Sequence, residues 1–371
     1  MKFIHTSDWH IGRQFQNISL LDDQLHALKQ LKSYAKEYQV DAILIAGDIF
    51  DRSAPPADAV AALDGFLNQL RVELEIPVIM ISGNHDSAER LGFGSMHMKE
   101  SGLHILSDLA AITTPVIIES KEGPVHVYGI PFNDPVEVRE TFNCDVKTYD
   151  EAHTYLANKI KEAQVDGVPS ILMSHCFIDG AQESDSEKHI SIGGADRVSY
   201  QPLESFDYVA LGHLHAPQSK GVDHIRYSGS LLKYSFSEYK QKKGMTIVEI
   251  DSNGLVSHTH QDLKPRHDMR VLEGTLADIL EQGQTDKHKE DYIFARLSDK
   301  NDILDPMGQL RKVYRYVLSS GSRLVADVSL KRGEADVFKD FYKQVMGHDL
   351  TDEQCLVLQE AISEVKAEYS A

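Results

Sequence analysis

Two apolar patterns alternate along the first 265 residues. KFIHTSD, DAILIAGD, PVIMISGNHD, ILMSH and YVALGHLH hold short runs rich in Val, Ile, Leu or Phe, with the length and composition of buried strands. Residues 22–38 and 57–72 carry apolar positions at helical spacing instead. In the second stretch Val60, Leu63, Leu67 and Leu70 fall on one stripe, and Pro55-Pro56 supplies a start signal. VHVYGIPF, HIRYSGS and GMTIVEID predict further strands, the last closed by a Ser252-Asn253-Gly254 turn. This alternation predicts an α/β layered domain over residues 1–265.

Pro265 closes that domain, and residues 266–330 restart with a different rhythm. MRVLEG reads as a strand, LADILEQ as a helix, YIFARLSD as a strand and MGQLRKVYRYVL as a helix, which makes a small α+β unit. Residues 331–371 predict a helix pair. The first helix carries Val337, Phe338, Phe341, Tyr342, Val345 and Met346 on one face and stops at Gly347. The second opens with a Thr351/Gln354 capping box and continues with Cys355, Leu358, Ile362 and Val365 at heptad-like spacing. Two such helices cannot bury that stripe against each other alone. It packs on the chain's own domain or docks a partner helix, and the pattern leaves both open.

The polar residues that end the apolar runs carry the chemistry. The runs deliver in turn Asp8 and His10; Asp48; Asn84, His85 and Asp86; His175; and His213 and His215. In open α/β sheets, ligands gather beyond the carboxyl ends of the strands. A mixed oxygen and imidazole set of this size at one sheet edge suits two adjacent divalent cations. Asp48 is the natural bridge, because one carboxylate has two oxygens, and Asn84 offers a neutral oxygen. Gly47, Gly83 and Gly212 precede Asp48, Asn84 and His213 and permit sharp turns or close backbone approach. His85 is the best candidate to stabilise the transition state or protonate a leaving oxygen, with Asp86 orienting it. Manganese, iron and zinc all accept such ligands. His258-x-His260 has ligand spacing but no glycine turn and no acidic partner at a strand end. His97, His104, His126 and His153 are scattered and read as surface or core-edge residues.

At 371 residues, with 42% apolar and 26% charged residues, this is an ordinary globular composition with room for about two domains. No apolar run reaches the ~18 residues of a membrane span, and the N-terminus carries no signal-peptide pattern. A cytoplasmic protein is the expectation. Cys144, Cys176 and Cys355 suggest neither a disulfide framework nor a zinc ribbon, and Cys176 reads as a small buried residue. No Gly-x-x-x-x-Gly-Lys-Ser/Thr occurs, so no phosphate loop binds ATP. The net charge of −19 argues against passive adhesion to nucleic acid. It does not exclude a nuclease, since divalent cations invert the local potential.

The ordered set D-x-H, G-D, G-N-H-D, H, G-H-x-H resembles the calcineurin-like metallophosphoesterase superfamily. FIHTSDWHIGR, LIAGDIFDRSAPP, ISGNHDS, FDYVALGHLHAPQ and YSGSLLKYSFSE are similar to nuclease subunits of bacterial complexes that pair a nuclease with a coiled-coil ATPase. The resemblance covers nearly the whole chain. It implies a layered β-sandwich flanked by helices, with Asp8, His10, Asp48 and His215 on one manganese and Asp48, Asn84, His175 and His213 on the other. His85 would be the catalytic histidine, and residues 266–330 a capping domain that channels DNA. The helix pair at 331–371 would dock on the ATPase through residues 335–368. A homodimer would form through helices of the first hundred residues, with Phe93, Met96 and Met98 as contributors or as core. Relatives carry a histidine where this chain has Asp51, which puts a second catalytic histidine there in doubt. The implied activity is ATP-dependent 3′→5′ exonuclease action on duplex ends, with endonuclease action on single strands and hairpins, in DNA recombination, repair and replication. Arg13, Arg52, Arg90, Lys233, Lys240, Lys242 and Lys243 are candidate phosphate contacts, most of them read as solvated charges. The rival readings are a phosphoesterase for small phosphodiesters or phosphoproteins, and a DNA-end scaffold with a vestigial site.

Overall fold

A computed structural model describes residues 1–121, 123–187, 196–299 and 303–322, with positions 350, 351, 354, 355, 357 and 358. The chain divides into two compact units, Met1–Met269 and Arg270–Ala371.

The first unit is built on two six-stranded sheets. Its strands in chain order are β1 (Lys2–Thr6), β2 (Ala42–Ala46), β3 (Val78–Ile81), β4 (Leu103–Leu106), β5 (Val116–Ile118), β6 (Val125–Ile130), β7 (Ser170–His175), β8 (Tyr208–Gly212), β9 (Gln218–Lys220), β10 (Val222–Tyr227), β11 (Gly244–Asp251) and β12 (Gly254–Asp262). The first sheet runs β12-β11-β1-β2-β3-β4 and the second β9-β10-β8-β7-β6-β5. Parallel pairing joins β1 through β4, and β6, β7, β8 and β10. Every residue of β2, β3, β7 and β8 is buried, which explains their unbroken apolar sequences.

The inner faces pack on each other. Phe3, Leu44, Ile79 and Ile81 of one sheet join Val127, Ile171, Met173 and Ala210 of the other in one apolar cluster. Behind the second sheet, Leu156, Ala157 and Ile160 of the Tyr149–Ala163 helix pack with Leu172, Val209 and Leu211. That helix starts with a Thr148/Glu151 capping box. The sandwich matches the expected layered α/β architecture. Its parallel strands send their carboxyl ends to the edge where the metal-binding residue types gather.

The sheets meet closely at that edge. A Cβ on Gly212 would overlap the Ala46 carbonyl oxygen and press on His175 Nδ1. Backbone on one side leaves no flexible group to yield. Gly212→Ala is therefore expected to destabilise the chain by about 3 kcal/mol, read as a lower urea midpoint at unchanged slope. A midpoint within error of wild type would show that the sheets can separate there.

Helix boundaries follow the periodicity, but two details differ. Leu21–Tyr38 is helical, and the Ala57–Asn68 helix continues as a π-turn over Gln69–Glu73. Its buried face is Ala59, Leu63, Phe66 and Leu70, whereas Val60 is 46% exposed. The core stripe is thus rotated from the expected one, because the large Phe66 takes the core position.

In the second unit a three-stranded sheet, Met269–Gly274, Tyr292–Leu297 and Tyr316–Ser322, packs with the Leu276–Thr285 helix. MGQLRKVYRYVL is not one helix. Only Pro306–Leu310 is helical, and Tyr316–Ser322 pairs in parallel with Tyr292–Leu297. The aromatic and β-branched residues Tyr316 and Val317 suit a strand, and Val317 completes the core. The predicted helix of residues 334–346 lies outside the described residues. At the start of the second helix, Gln354 N–H donates to Thr351 Oγ1 (3.3 Å) and Thr351 N–H to Gln354 Oε1 (3.0 Å), the expected capping box. Among the described residues no helix is long and apolar enough to cross a membrane.

Candidate metal centre

The strand-end residues converge. Asp8, His10, Asp48, His175, His213 and His215 are all buried, and Asn84 and His85 are half-buried beside them. His10 Nε2 lies 3.1 Å from His215 Nε2 and 3.6 Å from Asp48 Oδ2. His175 Nε2 lies 3.5 Å from Asp48 Oδ1 and 3.0 Å from Asn84 Oδ1, which is also 3.0 Å from His213 Nδ1. Asp8, His10 and His215 form one group with ligand atoms within 4.8 Å of one another, and Asp8, Asp48 and His175 form a second. Asp48 faces both, one oxygen to each side.

The loops that present these groups adopt conformations L-residues usually avoid. Asp8 (φ 53°), His10 (φ 45°), Asp48 (φ 51°) and His213 (φ 107°) are all left-handed, and such backbone persists only when its surroundings hold it. Asp8 N–H donates to Gly47 O (3.1 Å), and His10 N–H to Asp48 O (3.0 Å). Gln24, fully buried, accepts from Gly12 N–H (3.1 Å) and donates to the carbonyls of Trp9 (3.0 Å) and His10 (2.7 Å). His213 N–H donates to Asp8 Oδ1 (3.0 Å), and His85 N–H to Asp48 Oδ1 (2.9 Å). The centre is therefore fixed by backbone before any ligand arrives.

Its donor chemistry fits divalent cations. His175 Nδ1 lies 2.8 Å from the Ala46 carbonyl oxygen, which can only accept. Nδ1 therefore carries the proton, and the Nε2 lone pair points at the Asn84 carbonyl oxygen. Asn84 Nδ2 has no hydrogen-bond partner among the described residues. Lone pair facing lone pair is explained by positive charge between them. Burial, with His215 next to it, pushes the His10 pKa well below the usual imidazole range. Burial and the neighbouring His175 bring His213 down to about 3. Burial and then the Asp48 charge raise Asp8 well above the usual carboxylate range. Burial alone would raise Asp48 too, but the imidazoles of His175 and His85 hold it low. Neutral imidazoles around an ionised carboxylate are the ligating forms.

Residues 1–217 match the family model of the calcineurin-like phosphoesterases. The chain is 36% identical over 363 residues, 95% of its own length and 96% of the relative's, to the SbcD subunit of the nuclease SbcCD from Staphylococcus epidermidis. The chain belongs to the calcineurin-like phosphoesterases, in the SbcD family. Residues 265–346 match the "Type 5 capsule protein repressor C-terminal domain", the SbcD C-terminal model. Among solved structures, a dimetal phosphatase from Danio rerio aligns at 11% identity and TM-score 0.41, over 71% of this chain and 99% of that one. A hypothetical protein from Thermus thermophilus aligns at 9% and 0.39, over 71% and 98%. As a calcineurin-like phosphoesterase, the chain is a metal-dependent phosphodiesterase.

Two of the expected site residues behave differently from their sequence reading. Asp86, expected to orient His85, accepts instead from the backbone N–H groups of Gly83 (2.9 Å), Phe50 (2.9 Å) and Ile49 (3.1 Å). It braces the loops after β2 and β3, and burial with the Asp48 charge raises its pKa to about 7. His85 Nδ1 is held by the Asp51 backbone carbonyl at 2.8 Å, which fixes a proton on Nδ1. The Asp51 side chain pairs with Arg13 (3.2 Å) and lies 3.9 Å from His10 Nδ1. Lys243, a candidate phosphate contact, is buried against Glu238 (2.5 Å) and cannot reach a ligand in solution.

Among the described residues, no other histidine joins these ligand groups. His258 pairs with Asp223 (2.8 Å) on β12, and Cys176 is buried, with its thiol pKa pushed up to about 12 by burial. His126 and His153, read as surface or core-edge residues, are buried. His153 Nε2 is 2.8 Å from Ser174 Oγ, and burial lowers its pKa to about 4. The folded state prefers the neutral ring, so its contribution is complete above the unfolded pKa of ~6.5 and is lost as pH falls toward 4. Between pH 7 and 5 this amounts to about 2 kcal/mol. His153→Gln is expected to shrink the pH 7-to-5 drop in urea unfolding free energy by about that much. An unchanged drop would remove His153 as the source.

Proposed function

We propose that the chain is the nuclease subunit of an SbcCD-type complex, cutting DNA phosphodiesters with two manganese ions held by Asp8, His10, Asp48, Asn84, His175, His213 and His215. The observation that carries this reading is the carboxylate of Asp48, flanked by two buried groups of ligand atoms in a chain of the SbcD family. Bound there, two divalent cations would supply the charge that activates water and neutralises a phosphodiester. The chain's own residues do the rest. Asn84 and the imidazoles would fix the cation positions, and Asp86 keeps two ligand loops in register. The Asp51 carbonyl holds the Nδ1 proton and aims His85, so that its imidazolium form, protonated on both nitrogens, can give the Nε2 proton to the leaving oxygen.

ATP-dependent 3′→5′ exonuclease action on duplex ends and endonuclease action on single strands or hairpins follow from the family resemblance. The same holds for docking of an SbcC-type ATPase on residues 335–368, for DNA guidance by residues 266–330 and for a cytoplasmic location. A homodimer through the early helices is supported by apolar exposure there, with Phe93 82%, Met96 71% and Val72 71% exposed. The test is cleavage of labelled hairpin and single-stranded DNA by the purified chain with Mn²⁺, against Mg²⁺ and EDTA. Manganese-dependent cutting supports the nuclease. Hydrolysis of a small phosphodiester with no cutting of any DNA would replace it with the small-substrate reading.

A further inference from the structure

His215 is gripped by residues that none of the strand-end motifs contains. Its ring Nδ1 lies 2.7 Å from Ser186 Oγ and 3.3 Å from Glu238 Oε1. Its backbone N–H donates to Glu187 Oε1 (2.8 Å), and its carbonyl accepts from Lys243 Nζ (2.7 Å). Glu238 is fully buried, at the end of the short Phe236–Glu238 turn. Its Oε2 accepts from Lys243 Nζ at 2.5 Å and from Tyr234 N–H at 3.3 Å. Its Oε1 accepts the hydroxyl proton of Ser186 in a very short hydrogen bond.

The order of donors in this chain is forced. Ser186 has one hydroxyl proton and gives it to a carboxylate that can only accept. The Ser186 oxygen must then accept from His215 Nδ1, so Nδ1 carries the ring proton. The lone pair is left on Nε2, the nitrogen that faces His10 Nε2 at 3.1 Å. Reversing the first donor would reverse the last.

We propose that Glu238 is a positioning residue of the metal centre: acting through Ser186, it sets the tautomer and orientation of His215, with Lys243 as its buried counter-ion. This rests on the reading of His215 as a metal ligand. Partners of this kind on the far nitrogen of a ligating histidine typically change metal affinity by about 10–100-fold. Glu238→Gln is the informative change. A glutamine amide can donate to Ser186 Oγ, which turns the hydroxyl toward Nδ1 and protonates Nε2, the wrong nitrogen for a cation.

The test uses the full chain and Mn²⁺ alone. Manganese binding is measured by titration calorimetry, and the His215 tautomer by nitrogen NMR of the metal-free protein. Four proteins are compared: wild type, Glu238→Gln, Glu238→Gln with Lys243→Met, and His215→Ala. The double variant removes both buried charges and so separates folding from positioning. We expect the wild-type ring to be protonated on Nδ1 and both Glu238 variants on Nε2. We also expect one manganese site weakened by about 10–100-fold in both, with the double variant recovering the wild-type melting temperature but not the affinity. Recovery of affinity together with stability would reduce Glu238 to a counter-ion of Lys243 and overturn the proposal. So would wild-type affinity in Glu238→Gln while His215→Ala is weakened. Wild-type manganese affinity in His215→Ala would instead overturn the ligand reading, and the positioning role with it.

Discussion

Asp48→Asn should lower metal-dependent phosphodiester hydrolysis by at least about 10³-fold, equivalent to ~4 kcal/mol of lost transition-state stabilisation. The carboxylate presents Oδ2 to His10 at 3.6 Å and Oδ1 to His175 at 3.5 Å. It therefore turns one oxygen toward an imidazole on each side of the centre, where Asp8 also belongs to both groups. An amide keeps the shape, and its oxygen can still accept from His85 N–H. It cannot offer two anionic oxygens to two cations, so both halves lose a common ligand. The fold should not suffer. Asp8 and Asp48 repel each other in the buried, cation-free centre, and the Asp48 charge is one reason Asp8 holds its proton so tightly. Removing one charge relieves that conflict. The variant is expected to unfold in chelator at or above the wild-type temperature, yet to lose the rise that Mn²⁺ gives wild type through preferential binding to the folded state. A variant that keeps more than a tenth of the wild-type rate, or keeps the manganese-induced rise, would exclude Asp48 as a shared ligand.

Much of this centre is legible in the sequence because of what a parallel sheet does. Uniformly apolar runs such as AILIA and YVALG must be buried on both faces. Parallel strands within a sheet send their carboxyl ends the same way, which gathers Asp8, Asp48 and Asn84 on one sheet and His175 and His213 on the other. The strand-end motifs read as one edge of one sheet; it is the close stacking of two sheets at Gly212 and Ala46 that completes the set. The supports are not legible. Gln24 sits in an amphipathic helix as one more polar residue, and nothing in its spacing says that it is buried and clamps the loop of Asp8 and His10. Ser186, Glu238 and Lys243 lie in loops without periodicity, and only the packing brings them to His215. Asp86 shows the opposite hazard. Its place beside His85 in the chain suggests a partnership, but the tight turn after β3 sends its carboxylate to the amides of Ile49, Phe50 and Gly83. RYVL, read as the end of a helix, instead enters the Tyr316–Ser322 strand, where pairing along the edge of Tyr292–Leu297 outweighs the helical spacing.

His85→Ala should reduce cleavage of a DNA phosphodiester by about 10²–10⁴-fold while leaving manganese binding intact. Its Nδ1 proton is committed to the Asp51 carbonyl at 2.8 Å, so Nε2 alone can exchange protons with a substrate. The ring lies edge-on to His10, with centroids 4.7 Å apart. It is half-buried where the ligand imidazoles are fully enclosed, as suits a group that meets the substrate. A general acid matters in proportion to how poorly the leaving oxygen departs unaided. An alkoxide from a deoxyribose needs the proton, whereas a nitrophenolate does not. The loss should therefore be large on DNA and below about tenfold on bis(p-nitrophenyl) phosphate, with the same manganese stoichiometry by calorimetry. Equal losses on both substrates would assign His85 to holding charge or geometry rather than to moving a proton. A missing manganese ion in the variant would make it a ligand instead, a role its position beside His10 and Asp51 also brings within reach of the experiment.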